Sequence, residues 1–386
     1  MGVPTRHHRL FTAATTGLFL ALLCVLVDLR EPHVLAQTSA GGTLVTRCPD
    51  ANPYDTAPDD VAIQQCLGQY DRVLLAPPEG DGYIGYVVSD TIDLTRNGVL
   101  LTSASSPRLA RLVAAPSLAV PMLRTRANNF EISFISFDGN QAAREVRDKA
   151  CNTTRNYRNV ELTGVGFRVR YVESFNAVCG SAMTVGGSSR FEISNSRFYN
   201  NGRQPEDAKG LTGLWADGLN VFNCTGATIR DNVFWDNTDV DLGVAGGPGC
   251  SVYRNRIEHY NHYAFAGLVA GDPSRRGGEF SDNTIVSGPD MLGFGLMVGC
   301  HAWPECVGAY SSGLYVHDND VVGAVVNLVV DGVDSSRIEN NTIGRSQGSR
   351  ILNCVPRADY LVAHVIDVRL QPGFQVLPID FGRNCS

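Results

Sequence analysis

The chain is poor in lysine: Lys149 and Lys209 are its only two, against thirty arginines. Its net charge of −7 leaves it without the basic surplus that nucleic acid or an anionic membrane surface selects, so neither is an expected partner. No Cys-x-x-Cys pair occurs among the 11 cysteines, which removes the usual spacing of a zinc site. Helical spacing of apolar residues is also missing between Ile193 and Ile343.

What stands there instead is one phrase written six times: an apolar residue, two polar ones, a small polar residue, any residue, and an apolar one. The copies begin at Ile193, Ile229, Val252, Phe280, Val316 and Ile338, and their fourth residues are Ser196, Asn232, Asn255, Asn283, Asn319 and Asn341. Steps of 36, 23, 28, 36 and 22 residues separate those fourth positions, which is one coil plus insertions. Repeats of this length with β-type alternation predict a solenoid whose coils must stack, because no coil can bury its apolar face alone. The recurring Asn is expected at a sharp turn, in the left-handed conformation, bonded to its copies above and below.

The N-terminus reads differently. Arg6, His7, His8 and Arg9 precede an apolar run from Leu10 to Val27, and Val34-Leu35-Ala36 offers small residues before Gln37. That layout predicts a secretory signal peptide over residues 1–36 and a secreted protein, periplasmic or extracellular. An uncleaved segment would be a membrane anchor, the one route to a membrane partner. The remainder divides into an N-terminal cap with the first strands (37–105), the coils (106–345) and a C-terminal cap segment (346–386). Capped ends predict a monomer.

Without Cys24 the cysteine count is even, as a disulfide framework requires. Cys224 and Cys250 fall at matching turns of consecutive coils, where strands about 4.8 Å apart can be bridged. Proximity also suggests Cys48 with Cys66, Cys300 with Cys306 and Cys354 with Cys385, leaving Cys151 and Cys179 for each other.

Ahead of the coils, Asp59 or Asp60 can cap a helix that places Ile63, Cys66, Leu67 and Tyr70 on one face. Short strands follow at Val73-Leu74-Leu75, Tyr86-Val87-Val88, Thr91 to Leu94 and Val99-Leu100-Leu101. Within one coil, Gly218 to Val221 reads as the first strand, Ala227 to Asp231 as the second and Val233-Phe234-Trp235 as the third. Long insertions flank only the first strand: Asn201 to Trp215 before it, Gly271 to Gly278 and Cys300 to Gly313 after it. Insertions gathered on one side build a groove.

The order of capped helix, Leu74-x-x-Pro77-Pro78-x-Gly80, Tyr86-x-Val88, Ile92-x-Leu94 and Asn97 before Val99 resembles the start of the pectate-lyase superfamily. The Asn turns resemble that superfamily's asparagine ladder. The likeness runs from Asp59 to Ile343 and implies an all-β, right-handed parallel β-helix with an N-terminal capping helix. The superfamily holds lyases, hydrolases, epimerases and non-catalytic proteins, so it implies no single activity.

Candidate chemistry lies on the groove. Asp217 enters the first strand of its coil, and Asp239 and Asp241 enter the same strand one coil later, so stacking predicts three carboxylates in one area. Crowded like charges raise the pKa of at least one, which suits a general acid beside a base. The spacing is similar to part of the polygalacturonase pattern, in which Asn-Thr-Asp-Gly is followed one coil later by Asp-Asp. Here no Gly-His-Gly follows, although His259 and His262 lie in the corresponding coil, and Arg-Ile-Lys is absent. Arg275 and Arg276 could bind an acidic sugar instead. Trp215, and His301 and Trp303 inside the expected Cys300–Cys306 clip, offer rings and polar groups to a sugar.

The expected partner is therefore an acidic, uronate-containing polysaccharide, cleaved by carboxylate-based hydrolysis or else by elimination. No cofactor is required, while calcium is a ligand that clustered carboxylates could hold. The alternative is a surface β-helix that binds glycan or cell envelope without changing it.

Overall fold

The computed structural model describes residues 46–103, 109–144, 157–203, 214–299, 308–348 and 357–377. Short apolar-alternating strands separated by turn residues produce a repeated three-strand coil. In one coil the strands are Ala216–Val221, Thr228–Arg230 and Val233–Trp235. The next repeats them at Val240–Val244, Ser251–Tyr253 and Arg256–His259. Each strand pairs in parallel with its counterpart one coil on, with Leu219 opposite Leu242, Ile229 opposite Val252 and Phe234 opposite Ile257. First and second strands belong to one sheet and third strands to another. The fold is a right-handed parallel β-helix, as the repeats imply.

Register makes the core a set of columns. Ile229, Val252, Phe280, Val316 and Ile338 occupy equivalent positions and are fully buried. Phe130, Phe167 and Phe191 stack at 4.7 and 4.8 Å. Burial of apolar surface at roughly 25 cal/mol per Å² is what holds the coils together, since no strand is long enough to persist alone.

The asparagine ladder is present, with one correction. Asn232 donates through Nδ2 to Asn255 Oδ1 at 3.0 Å, and the chain continues to Asn283, Asn319 and Asn341 at 3.0, 2.9 and 2.8 Å. Left-handed backbone is taken not by these residues but by the one before each: Asp231, Arg254, Asp282, Asp318 and Asn340, with φ between 52° and 58°. The preceding residue absorbs the turn, which leaves the ladder side chain pointing inward to its copies.

The N-terminal helix spans Asp60–Gln69 and buries Ile63, Cys66 and Leu67. Asp59 occupies the N-cap position without a side-chain bond to the helix. Its carboxylate instead accepts the backbone N–H groups of Asn52 and Val87, at 2.7 and 2.9 Å. Gln64 joins the helix to the following strand by donating to Asp93 O and accepting from Asp93 N–H.

Disulfides link Cys48 to Cys66 and Cys224 to Cys250, the latter across a Cα separation of 5.1 Å. Cys179 is also disulfide-bonded, while its expected partner Cys151 lies outside the described residues. The Cys300–Cys306 and Cys354–Cys385 pairs and the leader over 1–36 lie outside them as well.

Candidate active site

The first-strand sheet carries the site. Ser181 and Asp217 are paired across consecutive coils, and Leu219 pairs with Leu242 in the coil after. This register brings Asp217 beside Val240, whose backbone N–H donates to Asp217 Oδ1 at 3.3 Å. Ser181 Oγ and Asn220 Nδ2 both donate to Asp217 Oδ2 at 3.0 Å. Asp217 is only 8% exposed. Asp239, half-buried, stands immediately before Val240.

Burial pushes the Asp217 carboxyl up to about 7, with the Asp239 charge adding to it and the three hydrogen bonds offsetting part. Burial likewise pushes Asp239 up to about 6. Two carboxyls with displaced affinities at one spot can hold a proton between them near neutral pH, the equipment for acid and base roles side by side.

Asp241 does not join them. The same register sets it beside Gly218 rather than Asp217, and its side chain is taken up inside the coil. The carboxylate is fully buried, accepts from Asn237 Nδ2 at 2.6 Å and is bonded to His259 Nε2. His259 Nδ1 faces the carbonyl of His262 at 3.0 Å, so both ring nitrogens meet acceptors. Burial works against a charged ring, but the bonds to Asp241 and the His262 carbonyl outweigh it, and the His259 pKa is raised. This His259–Asp241 pair lies inside the coil, and sequence spacing alone did not separate it from Asp217 and Asp239.

The expected binding residues are dispersed. Trp215, 38% exposed, lies two residues before Asp217, just ahead of the strand. His262 is half-buried at the turn entering the strand Ala264–Ala270, one coil past Asp239, whose carbonyl accepts from Phe265 N–H at 2.8 Å. Arg275 and Arg276 are exposed, but follow the other end of that strand. Ala266 is opposite Val240, and Ala270, about 13 Å further along the strand, is where the chain leaves it toward the arginines. His301 and Trp303 lie outside the described residues. Ser181 and Asn220, which grip Asp217, were not foreseen; Asn220 could have been found from its place three residues on in the same strand.

The outer face of this sheet is open over a short stretch. Asn220 pairs with Gly243 and Gly243 with Val269, and Val269 with Met297. Asn220 and Gly243 are partly exposed, whereas Thr184 before them and Val269 and Met297 after them are buried, at 3%, 5% and 1%. Among the described residues no group of three or more His, Cys, Asp or Glu side chains is arranged to hold a metal ion.

A family model for a right-handed beta helix region matches residues 124–343. No curated protein matches the chain. Among solved structures, a variant tailspike protein of E. coli bacteriophage HK620, in complex with a pentasaccharide, superposes with a TM-score of 0.53 at 13% identity, covering 83% of this chain and 57% of its own. The Dettilon tailspike protein gives 0.47 at 14% identity, covering 85% and 62%. An alginate lyase from Paenibacillus sp. gives 0.39 at 12%, covering 80% and 97%. The chain thus spans about three-fifths of the length of the tailspike chains it matches. At such identities the likeness bears on the fold alone.

Proposed function

We propose, for a chain that belongs to the right-handed β-helix family, that it is a secreted glycan-cleaving enzyme working through Asp217 and Asp239. The observation that carries this reading is two neighbouring carboxyls on the coil stack, Asp217 pushed up to about 7 by burial and by the Asp239 charge, and Asp239 pushed up to about 6 by burial. Protonated Asp217 gives its proton to the leaving glycosidic oxygen, and ionised Asp239 takes one from the attacking water. The sugar–oxygen bond breaks as the bond to water forms. Trp215 offers an indole to the sugar beside the pair. An extended acidic chain leaving the open stretch along the strands would meet Arg275 and Arg276, which favours a uronate-containing polysaccharide. Disulfides at Cys48–Cys66 and Cys224–Cys250 support an oxidising compartment outside the cytoplasm. The tailspike that shares this fold was solved with a pentasaccharide, in keeping with a glycan as partner.

The opposing reading is a surface protein that binds glycan unchanged, and the 8% exposure of Asp217 speaks for it. The deciding experiment incubates the protein with a panel of uronate-containing polysaccharides, with and without calcium, reading product mass and ultraviolet absorbance. New reducing ends without absorbance establish hydrolysis, and Asp217→Asn should then lower kcat at least about a hundredfold. An absorbing unsaturated product replaces hydrolysis with elimination. Binding with no change in chain length, or full turnover by Asp217→Asn, sinks the assignment.

A further inference from the structure

A second cleft lies on the third-strand sheet, away from the carboxylate pair. It is an open cleft of about 580 Å³ between the loop carrying Asp81 and Tyr83 and the outer face of the first coils. Its existence follows from register: Ser136 is opposite Arg111 on one side and Glu173 on the other. A serine between two long side chains leaves a gap, and both neighbours line it.

The floor of the gap is aromatic. Phe175, Tyr199 and Trp235 occupy one register column and stack at 4.8 and 4.1 Å with planes within 6° of parallel. Tyr199 covers one face of Phe175; on the other side the shorter Asp138 is its register partner in the preceding coil, and Phe175 lines the cleft. Around the ring stand groups suited to hydroxyls. Tyr83 Oη accepts from Arg111 N–H at 2.9 Å, leaving its own O–H to donate. The Glu173 carboxylate is an acceptor, held by Arg197 at 3.2 Å.

Charge narrows the ligand. Both nearby guanidinium groups already face carboxylates, Arg197 on Glu173 at 3.2 Å and Arg111 3.9 Å from Asp138, while the carboxylate of Asp81 also lines the cleft. An anionic sugar would be repelled, whereas a neutral pyranose presents an apolar C–H face to Phe175 and hydroxyls to Tyr83 and Glu173. We propose that this cleft is a binding site for a neutral pyranose unit, separate from the Asp217–Asp239 centre. It requires no assumption about what that centre does.

The test titrates the full chain with methyl β-glucopyranoside, N-acetylglucosamine and galacturonate, using saturation-transfer NMR and calorimetry. At least one neutral sugar should bind, with galacturonate weaker by about tenfold or more. Ser136→Leu, which fills the gap, and Glu173→Gln, which keeps its shape, should each weaken that binding about tenfold or more, while Trp215→Ala leaves it unchanged. If Ser136→Leu fails to fold, the isosteric Glu173→Gln decides alone. Absence of neutral-sugar binding, binding indifferent to the cleft variants, or equal affinity for galacturonate overturns the proposal.

Discussion

Asp217 and Asp241 enter the same sheet one coil apart and meet different surroundings, the first held by Ser181, Asn220 and Val240, the second by Asn237 and His259. Asp217 keeps its proton in the folded chain up to about pH 7, yet its ordinary value is 3.8. Between those limits the folded state binds more protons than the unfolded one, so stability falls as pH rises through this window. Asp217→Asn removes that dependence. Its Oδ1 can still accept from Val240 N–H, while Ser181 and Asn220 reorient to meet the new amide. We expect the variant to melt above the parent at pH 8 and no higher at pH 4, a comparison that calorimetry makes directly. Equal melting shifts at both pH values would exclude a raised Asp217.

His259 contributes with the same sign. Its pKa is raised above 6.5, so the stability from its charged form is fully present below 6.5 and is lost as pH rises through the folded value. His259→Ala strands the fully buried Asp241 and should cost about 3–5 kcal/mol in urea unfolding at pH 6. A loss below about 1 kcal/mol would mean that the pair is not charged.

At the scale of the strand and its turn, the ladder is the device that keeps coils in register. Asn255 Oδ1 accepts from both Asn232 N–H and Nδ2, and Asn255 Nδ2 donates to Asn283 Oδ1 and Ile229 O. Asn255→Ala orphans buried groups on both neighbouring coils and should cost at least about 2 kcal/mol. Hydrogen exchange should then quicken around Asn232 and Asn283, with the distant Phe130–Phe167 coils unaffected, because coils interact only with neighbours. Uniform loss of protection along the chain would contradict this nearest-neighbour picture. Legibility differs between ladder and site for a physical reason. The ladder asparagines recur in fixed phrases, but Asp239 and Asp241 differ by two residues at a strand entry where alternation fails, with Asp241 and Leu242 both fully buried.

Across the whole molecule, the Cys224–Cys250 bond ties two consecutive coils and closes a loop of sequence separation 26. Chain-entropy reasoning gives such a closure about 3–4 kcal/mol. Cys224→Ser with Cys250→Ser should lower unfolding free energy by about that amount and leave the circular dichroism of the folded state unchanged. A stability change near zero would show that stacking of the two coils already supplies the restraint.

The sequence by itself determined the coil, its period, the asparagine turn and the Cys224–Cys250 bridge, because each repeats or aligns at intervals that only stacked parallel strands satisfy. It also pointed to Asp217 as a carboxylate at a strand entry. Which aspartate accompanies it was decided only by tertiary structure. Register fixed Asp217 against Val240 and turned Asp241 inward to His259, while Arg275 and Arg276 went to the other end of the strand. Those outcomes depend on which residue lies opposite which across coils separated by insertions of unequal length. Local pattern carries no information about that pairing, and burial, which sets the carboxyl proton affinities, exists only after the coils have closed.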